Sequence, residues 1–373
     1  GELQMRISID KEKFINSVTI VGKAISNKPN LNTSGCILID ATKGYIRLLA
    51  NNEDMAIQGI VEGEIIEEGM VGVDARQLTD LIRKIPDGII NVFYNEKEDE
   101  DSINVLIESN NIKATIPGKM GYLFSDLPEI ERDTKLEISQ YALKDIIRRT
   151  IFCTSLNSVN KILEGELFVI KNGILRVEAV EQSRVAIRQI DINNNEIDER
   201  IIVKGTSLNE LIKIIYDDTE SMIDMYFMKD NVVFEFDQNI IVMRLIEGNF
   251  FDSSNLKYKD YITKVDINKK SLYECLDRTT LFAKDGDKKS VKFTISNNNL
   301  NVSVFSQIGS INENIDISKE GDDIEINFNP KLFIDALKAI DDETVSIYLL
   351  GKKFPCFIRK EDVYNYVVLP ILG

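Results

Sequence analysis

Histidine is absent from all 373 residues. That removes the commonest general base, the commonest metal ligand and the usual switch near neutral pH. Ser-His-Asp and Cys-His nucleophile systems are therefore excluded. Only four cysteines occur (Cys36, Cys153, Cys275, Cys356), far apart and without a Cys-x-x-Cys pair. A disulfide framework or zinc site would need clustering, so four reduced, buried thiols are expected. No run of eighteen apolar residues is present, which excludes a membrane-spanning helix on length. The opening Gly1-Glu2-Leu3-Gln4-Met5-Arg6 lacks the basic-then-apolar layout of a secretory leader, and cytoplasmic residence is expected. Gly22-Lys23 and Gly118-Lys119 lack the remaining residues of a phosphate-binding loop. The sequence offers no catalytic machinery, and neither metal nor cofactor is expected.

Positive charge is also short: 45 basic residues face 61 acidic ones, a net −16. Taken alone this argues against a polyanionic partner, because such binding is driven by basic groups displacing counterions. The length and the 43% hydrophobic content suit a soluble protein of two or three domains.

One pattern occurs three times. Val73–Asp87 is echoed at Val203–Asp217 and at Phe328–Asp342. Each copy sets a bulky residue at its sixth place (Leu78, Leu208, Phe333), an acid two later (Asp80, Glu210, Asp335), then Ile85, Ile215 or Ile340 before a closing Asp. Such repetition indicates one supersecondary plan used three times. Polar stretches at Ser125–Asp133 and Asp252–Lys264 divide the chain, giving expected domains at 1–127, 128–253 and 254–373.

Each third repeats an order of elements. An early amphipathic helix is read over Lys11–Lys28 (Phe14, Val18, Val21, Ile25), Tyr141–Phe152 and Lys269–Phe282. Alternating strands follow; Leu167–Ile170 and Ile174–Val177 flank Asn172-Gly173, a strong hairpin signal. The repeated motif supplies a second helix, and further strands close the unit. The expected fold class is α+β, three tandem units of two helices and about eight strands. Charge sorts by element: segments 11–28, 75–85, 140–155, 206–216, 268–284 and 331–340 carry +3, +2, +2, 0, +2 and +1. The strands and loops are left strongly acidic. Any one helix could be an ordinary solvated face; six together suggest a basic side that gathers a polyanion.

At this point the residues resemble the bacterial DNA polymerase III β subunits, the β sliding clamps. The closest local matches are Phe328-Asn329-Pro330-Lys331 into Asp335-Ala336-Leu337-Lys338-Ala339, and Tyr366-Val367-Val368-Leu369-Pro370. Met5-Arg6-Ile7-Ser8-Ile9 as first strand, the following helix and Lys28-Pro29 also fit, so the resemblance runs from Met5 to the end; Gly1–Gln4 precede the family's usual start. It implies a head-to-tail homodimer closing a ring of six domains, helices lining the hole and double-stranded DNA held by enclosure without base readout. Lys28 and Asn157 match DNA-contacting positions; Arg83, Lys144, Arg148, Arg149 and Lys338 are added from helix-face charge. The resemblance further implies an apolar groove for short peptides of polymerases, the clamp loader and repair proteins. Its implied residues are Leu163, Val180, Gln182, Arg184, Val185, Phe251, Leu256, Val367, Leu369, Pro370 and Ile371. Gln182 and Phe251 stand where the family often has Gly and Pro, so a narrower or shifted groove is expected. Leu281 and Phe282 match one side of the subunit joint, Ile112 and Ala114 the other.

Other signals are weaker. The acidic run Glu96–Asp101 reads as a solvated loop, and Asp285-Gly286-Asp287 lacks the further ligands of a calcium loop. Two competing functions remain: a scaffold binding proteins only, and a metal-dependent enzyme using Asp74, Glu181 and Asp217. The second needs carboxylates to converge that the repeat places on separate elements.

Overall fold

The computed structural model of the chain describes residues 3–25, 33, 35–95, 103–256, 258–283 and 290–372. The first third holds β1 (Leu3–Asp10), α1 (Lys11–Val21), β2 (Cys36–Asp40), β3 (Ile46–Asn51), β4 (Met55–Val61) and β5 (Gly63–Glu67). It continues with β6 (Met70–Asp74), α2 (Ala75–Lys84), β7 (Ile89–Asn95), β8 (Ile103–Ser109) and β9 (Ile112–Met120). The second has β10 (Lys135–Ser139), α3 (Gln140–Arg148), β11 (Gly165–Lys171), β12 (Ile174–Glu181) and β13 (Arg184–Asp191). Then come β14 (Glu199–Lys204), α4 (Gly205–Leu211), β15 (Met222–Phe227), β16 (Asn231–Phe236) and β17 (Asn239–Arg244). The last has β18 (Thr263–Asn268), α5 (Lys269–Thr279), β19 (Val291–Ser296), β20 (Asn299–Ser306) and β21 (Gly309–Gly321). It ends with β22 (Ile324–Phe328), α6 (Pro330–Lys338), β23 (Thr344–Leu349), β24 (Cys356–Lys360) and β25 (Tyr364–Val368). The thirds repeat the same order, with nine strands in the first and eight in each of the others: β21 spans the course of β4 and β5, and the second third has no counterpart of β5.

Local chemistry sets the boundaries. The repeated motif opens on a strand that runs straight into a helix, β6 into α2, β14 into α4 and β22 into α6. Asp74 accepts a bond from Gln77 N at 2.8 Å and Asn329 one from Lys331 N at 3.1 Å, so each caps its helix. Three helices are shorter than their apolar spacing predicts. α1 stops at Val21 because Gly22, a poor helix former, takes the C-cap and a 3-10 turn follows to Ala24. α3 stops at Arg148, and Thr150 turns its hydroxyl back on the Ile146 carbonyl at 3.0 Å. α5 stops at Thr279, leaving Leu281 58% exposed. The Asn172-Gly173 hairpin forms as expected, both residues at positive φ.

The chain divides into two compact units, Gly1–Tyr141 with Lys213–Leu245, and Ala142–Ile212 with Ile246–Gly373. The central third is thus shared between them. In the first unit thirteen strands form one sheet, in the order β10-β15-β16-β17-β4-β3-β2-β6-β9-β8-β7-β1-β5. In the second, twelve run β14-β11-β12-β13-β25-β24-β23-β18-β21-β20-β19-β22. Two pairings join successive thirds: Asn239–Met243 of β17 with Met55–Gly59 of β4, and Arg184–Arg188 of β13 with Tyr364–Val368 of β25.

Period-two alternation gives the second unit's sheet two distinct faces. Ala179, Ala186, Cys356, Ile358, Tyr364, Tyr366 and Val368 face a large core with α5 and α6, centred on Phe293, Phe328 and Phe333. Val180, Val185, Ile187, Phe357 and Val367 face the other way, into a smaller apolar cluster. All four cysteines are buried and free, and burial pushes the Cys275 thiol up to about 12. No helix among the described residues is long and apolar enough to cross a membrane.

Candidate functional site

The smaller cluster is built row by row. Val180 pairs with Val185, Val185 with Val367, and Val367 with Phe357, so four apolar side chains cross β12, β13, β25 and β24 in one line. Leu163, on the 3-10 turn Lys161–Glu164, and Leu256 pack on this line with Phe250. Of the residues expected in a peptide groove, the structure therefore gathers Leu163, Val180, Val185, Leu256 and Val367. The line itself is already covered: Val367 is 2% exposed and Val185 8%. The accessible apolar rim is Leu163, Leu256 and the 39%-exposed Leu369.

The other expected groove residues stand differently. Gln182 is exposed in the β12–β13 turn, and Leu369 N donates to Ser183 O at 2.9 Å beside it. Phe251 is 42% exposed and absent from the cluster; Phe250, unnoticed in the sequence, fills that place. Pro370 is half-buried, while Ile371 lines a separate cavity with Ile326, Asn327, Lys352 and Lys353. Arg184 is placed apart from the apolar line. As the neighbour of Val185 on a strand it projects to the helix face, where Nη1 meets Asp335 at 2.6 Å, Nε meets Glu181 at 2.6 Å and Nη2 donates to Phe152 O at 2.7 Å. These carboxylates hold its pKa up against burial.

The expected DNA-facing cations also divide. Arg83 is exposed in the last turn of α2 and makes no ion pair among the described residues. Arg148 is exposed, with Asp145 at 3.4 Å. Lys338 is exposed with its ammonium 5.9 Å from the Tyr273 ring, and it shares a surface cavity with Arg148. Lys144 is half-buried on α3, and Asn157 is exposed at positive φ. Lys28 lies outside the described residues, as do the acidic run Glu96–Asp101 and Asp285-Gly286-Asp287.

Arg149 is placed differently from its neighbour Arg148. It is 7% exposed, its Nε on Asp145 at 2.7 Å, Nη1 donating to Ala339 O at 2.7 Å and Nη2 paired with Asp341. Every guanidinium nitrogen thus has a partner inside the second unit, although the residue also borders the cavity shared by Arg148 and Lys338. Charge count alone could not separate it from Arg148.

The residues matched to a subunit joint lie on one strand and on the turn after α5. Ile112 and Ala114 begin β9, half-buried, with β8 on one side. Only Val71–Val73 of β6 pair along its other edge, and they reach Gly118–Met120 alone. Leu281 and Phe282 follow α5, and the Phe282 ring lies so close to Gly309 at the start of β21 that an added Cβ would meet it at 2.9 Å. Gly309 also has φ +143, so glycine is required there on both counts.

Comparison with known proteins agrees over the whole length. Models of the DNA polymerase III beta subunit match in chain order: N-terminal domain at 5–117, central domain at 137–252 and C-terminal domain at 258–372. The beta sliding clamp of Staphylococcus epidermidis is 30% identical over 98% of this chain and 99% of its own. A solved Eubacterium rectale structure assigned as a DNA polymerase III beta subunit is 38% identical with TM-score 0.94, covering 99% of this chain and 100% of that one. The Bacillus subtilis DNA polymerase sliding clamp shares the fold at TM-score 0.93 and 24% identity, with the same coverage. Three domain matches in order, full-length identity and a shared fold converge on one conclusion: this chain belongs to the DNA polymerase III beta subunit family, the β sliding clamps of DNA replication.

Proposed function

We propose that the chain is a non-catalytic processivity factor, two copies of which join head to tail into a ring around duplex DNA. The observation that carries this reading is the pattern of strand pairing. Both internal joins use the same two places in the repeat: the fourth strand of one third and the last strand of the next. By that rule β9 and β21 are the two strands left over. Among the described residues, Ile112–Pro117 of β9 and Ser310–Asp316 of β21 each have one edge unpaired. An open edge of backbone donors and acceptors is a template for another chain. Pairing β21 of one copy with β9 of a second repeats the internal join, and doing so twice closes the assembly. Leu281, Phe282, Ile112 and Ala114 then flank the joint, with the 88%-exposed Phe305 and 63%-exposed Ile308 at its tip.

In this reading Arg83, Lys144, Arg148, Asn157, Lys338 and Lys28 touch DNA phosphates without reading sequence. Partner peptides of the polymerase, the clamp loader and repair proteins dock on the rim of Leu163, Leu256 and Leu369, on the sheet face away from α5 and α6. The proposed domains are 1–127, 128–253 and 254–373, which contain the three family matches. The protein acts in the cytoplasm and needs no cofactor. Sedimentation equilibrium at micromolar concentration tests the joint: a species of twice the 42.4 kDa chain mass is expected, and a single monomeric species contradicts it.

A further inference from the structure

The row of side chains next to the apolar line is polar. Glu178 pairs with Ile187, Ile187 with Asn365 and Asn365 with Arg359, so these four cross the same strands one step along the same face. Ile187, Asn365 and Arg359 of this row line a cavity of about 230 Å3 that shares Ile187 and Leu256 with the apolar cluster. Arg176, Arg359, Lys360 and Asp362 bring its lining to a net positive charge, on a chain of net −16. Two of the cations are already neutralised: Arg176 Nε by Glu178 at 2.6 Å, and Lys360 by Asp342 at 2.6 Å.

Arg359 is the exception. It is half-buried, 3.8 Å over the Tyr258 ring, and has no carboxylate among the described residues. Stacking of this kind fixes the guanidinium plane and leaves its N–H fork free for a planar anion. A second group in the same cavity lacks a partner among the described residues: Asn365 is 8% exposed, and its Oδ1 receives no hydrogen bond from them. A buried acceptor left without a donor is costly, and an arriving N–H relieves it.

We propose that this cavity is a specificity site continuous with the docking rim, taking an acidic residue that flanks the apolar anchors of a bound peptide. The carboxylate meets the Arg359 guanidinium, and a peptide N–H donates to Asn365 Oδ1. The inference rests on the docking reading given above and narrows its partners to peptides with an acidic flank. Such a flank is otherwise disfavoured by so acidic a protein.

Calorimetric titration of the full chain tests it with three synthetic peptides. All carry the same Leu and Phe anchors, and they differ in an Asp-Asp pair before the anchors, an Asp-Asp pair after them, or Asn-Asn at both ends. One acidic peptide is expected to bind roughly three- to five-fold more tightly than the Asn peptide, the scale of a partly screened ion pair. The preference is expected to vanish in Arg359→Gln, whose unchanged affinity for the Asn peptide reports an intact rim. It is expected to survive in Lys353→Gln, which alters the other cavity. Equal affinities for all three peptides, or an acid preference that survives Arg359→Gln, would overturn the proposal. No binding by any peptide would instead overturn the docking reading, and this inference with it.

Discussion

Arg148 and Arg149 adjoin at the end of α3, yet only Arg148 is exposed. The buried guanidinium of Arg149 ties α3 to the residues just after α6, through Asp145, Ala339 and Asp341. Asp341 is exposed and Asp145 partly so, so neither carboxylate is stranded when the guanidinium is lost, and Arg149→Met is expected to cost about 1–2 kcal/mol, chiefly the donors to Asp145 and Ala339 O. Arg148→Ala is expected to change stability by no more than about 0.5 kcal/mol. Urea unfolding of the two variants separates them, and equal midpoints would contradict the assignment. Glu166 gives a pH signature. It is 0% exposed, and burial raises its pKa well above the ordinary 4.5. Its Oε1 lies 2.6 Å from Thr150 Oγ1, which also reaches the Ile146 carbonyl. Thr150 Oγ1 donates to Glu166 Oε1, which favours the carboxylate but offsets only part of the effect of burial. Because the folded value exceeds the unfolded one, this group's stabilising contribution is complete below pH 4.5, declines as pH rises and levels off above the folded value. Glu166→Gln is therefore expected to flatten the stability loss between about pH 5 and 7 and to exceed the parent at pH 7. Parallel pH profiles for the two proteins would contradict a buried neutral acid.

At the scale of elements, much of the architecture was legible in the residues. Asp74 and Asn329 mark helix starts by their capping chemistry, and Asn172-Gly173 marks a hairpin by its positive φ. Helix ends were less so. The apolar spacing of Phe14, Val18 and Val21 continues to Ile25, but the backbone at Gly22 does not sustain the helix. Strand parity carried information that resemblance obscured: Arg184 and Val185 are consecutive on β13 and cannot share a face. Phe250 and Phe357 joined the apolar cluster through pairings that only the assembled sheet reveals. The open edges of β9 and β21 belong to this scale too. Leu281, exposed beyond α5, contributes nothing to the core of its own unit. Leu281→Asp is accordingly expected to leave the melting temperature of the isolated chain unchanged while shifting sedimentation toward the 42.4 kDa monomer. A variant still wholly dimeric would remove Leu281 from the joint.

For the whole molecule, the acidic total and the basic helices are two halves of one requirement. A ring that slides must attract the duplex weakly on its inner side and repel it elsewhere. Ion pairs refine the charge pattern read from the sequence. Lys13 is held by Glu62 and Arg278 by Glu313, while Arg83 and Lys338 have no ion pair among the described residues. The unneutralised charge of the helices is therefore smaller than their basic count suggests. Enclosure, and not affinity, is the central claim. Its most direct measurement is retention on nicked circular DNA, followed by gel filtration before and after the circle is cut, with the protein loaded by its clamp loader. Co-elution with the intact circle and release on linearisation are expected. Retention that survives the cut, or a protein never retained on the circle, would contradict enclosure.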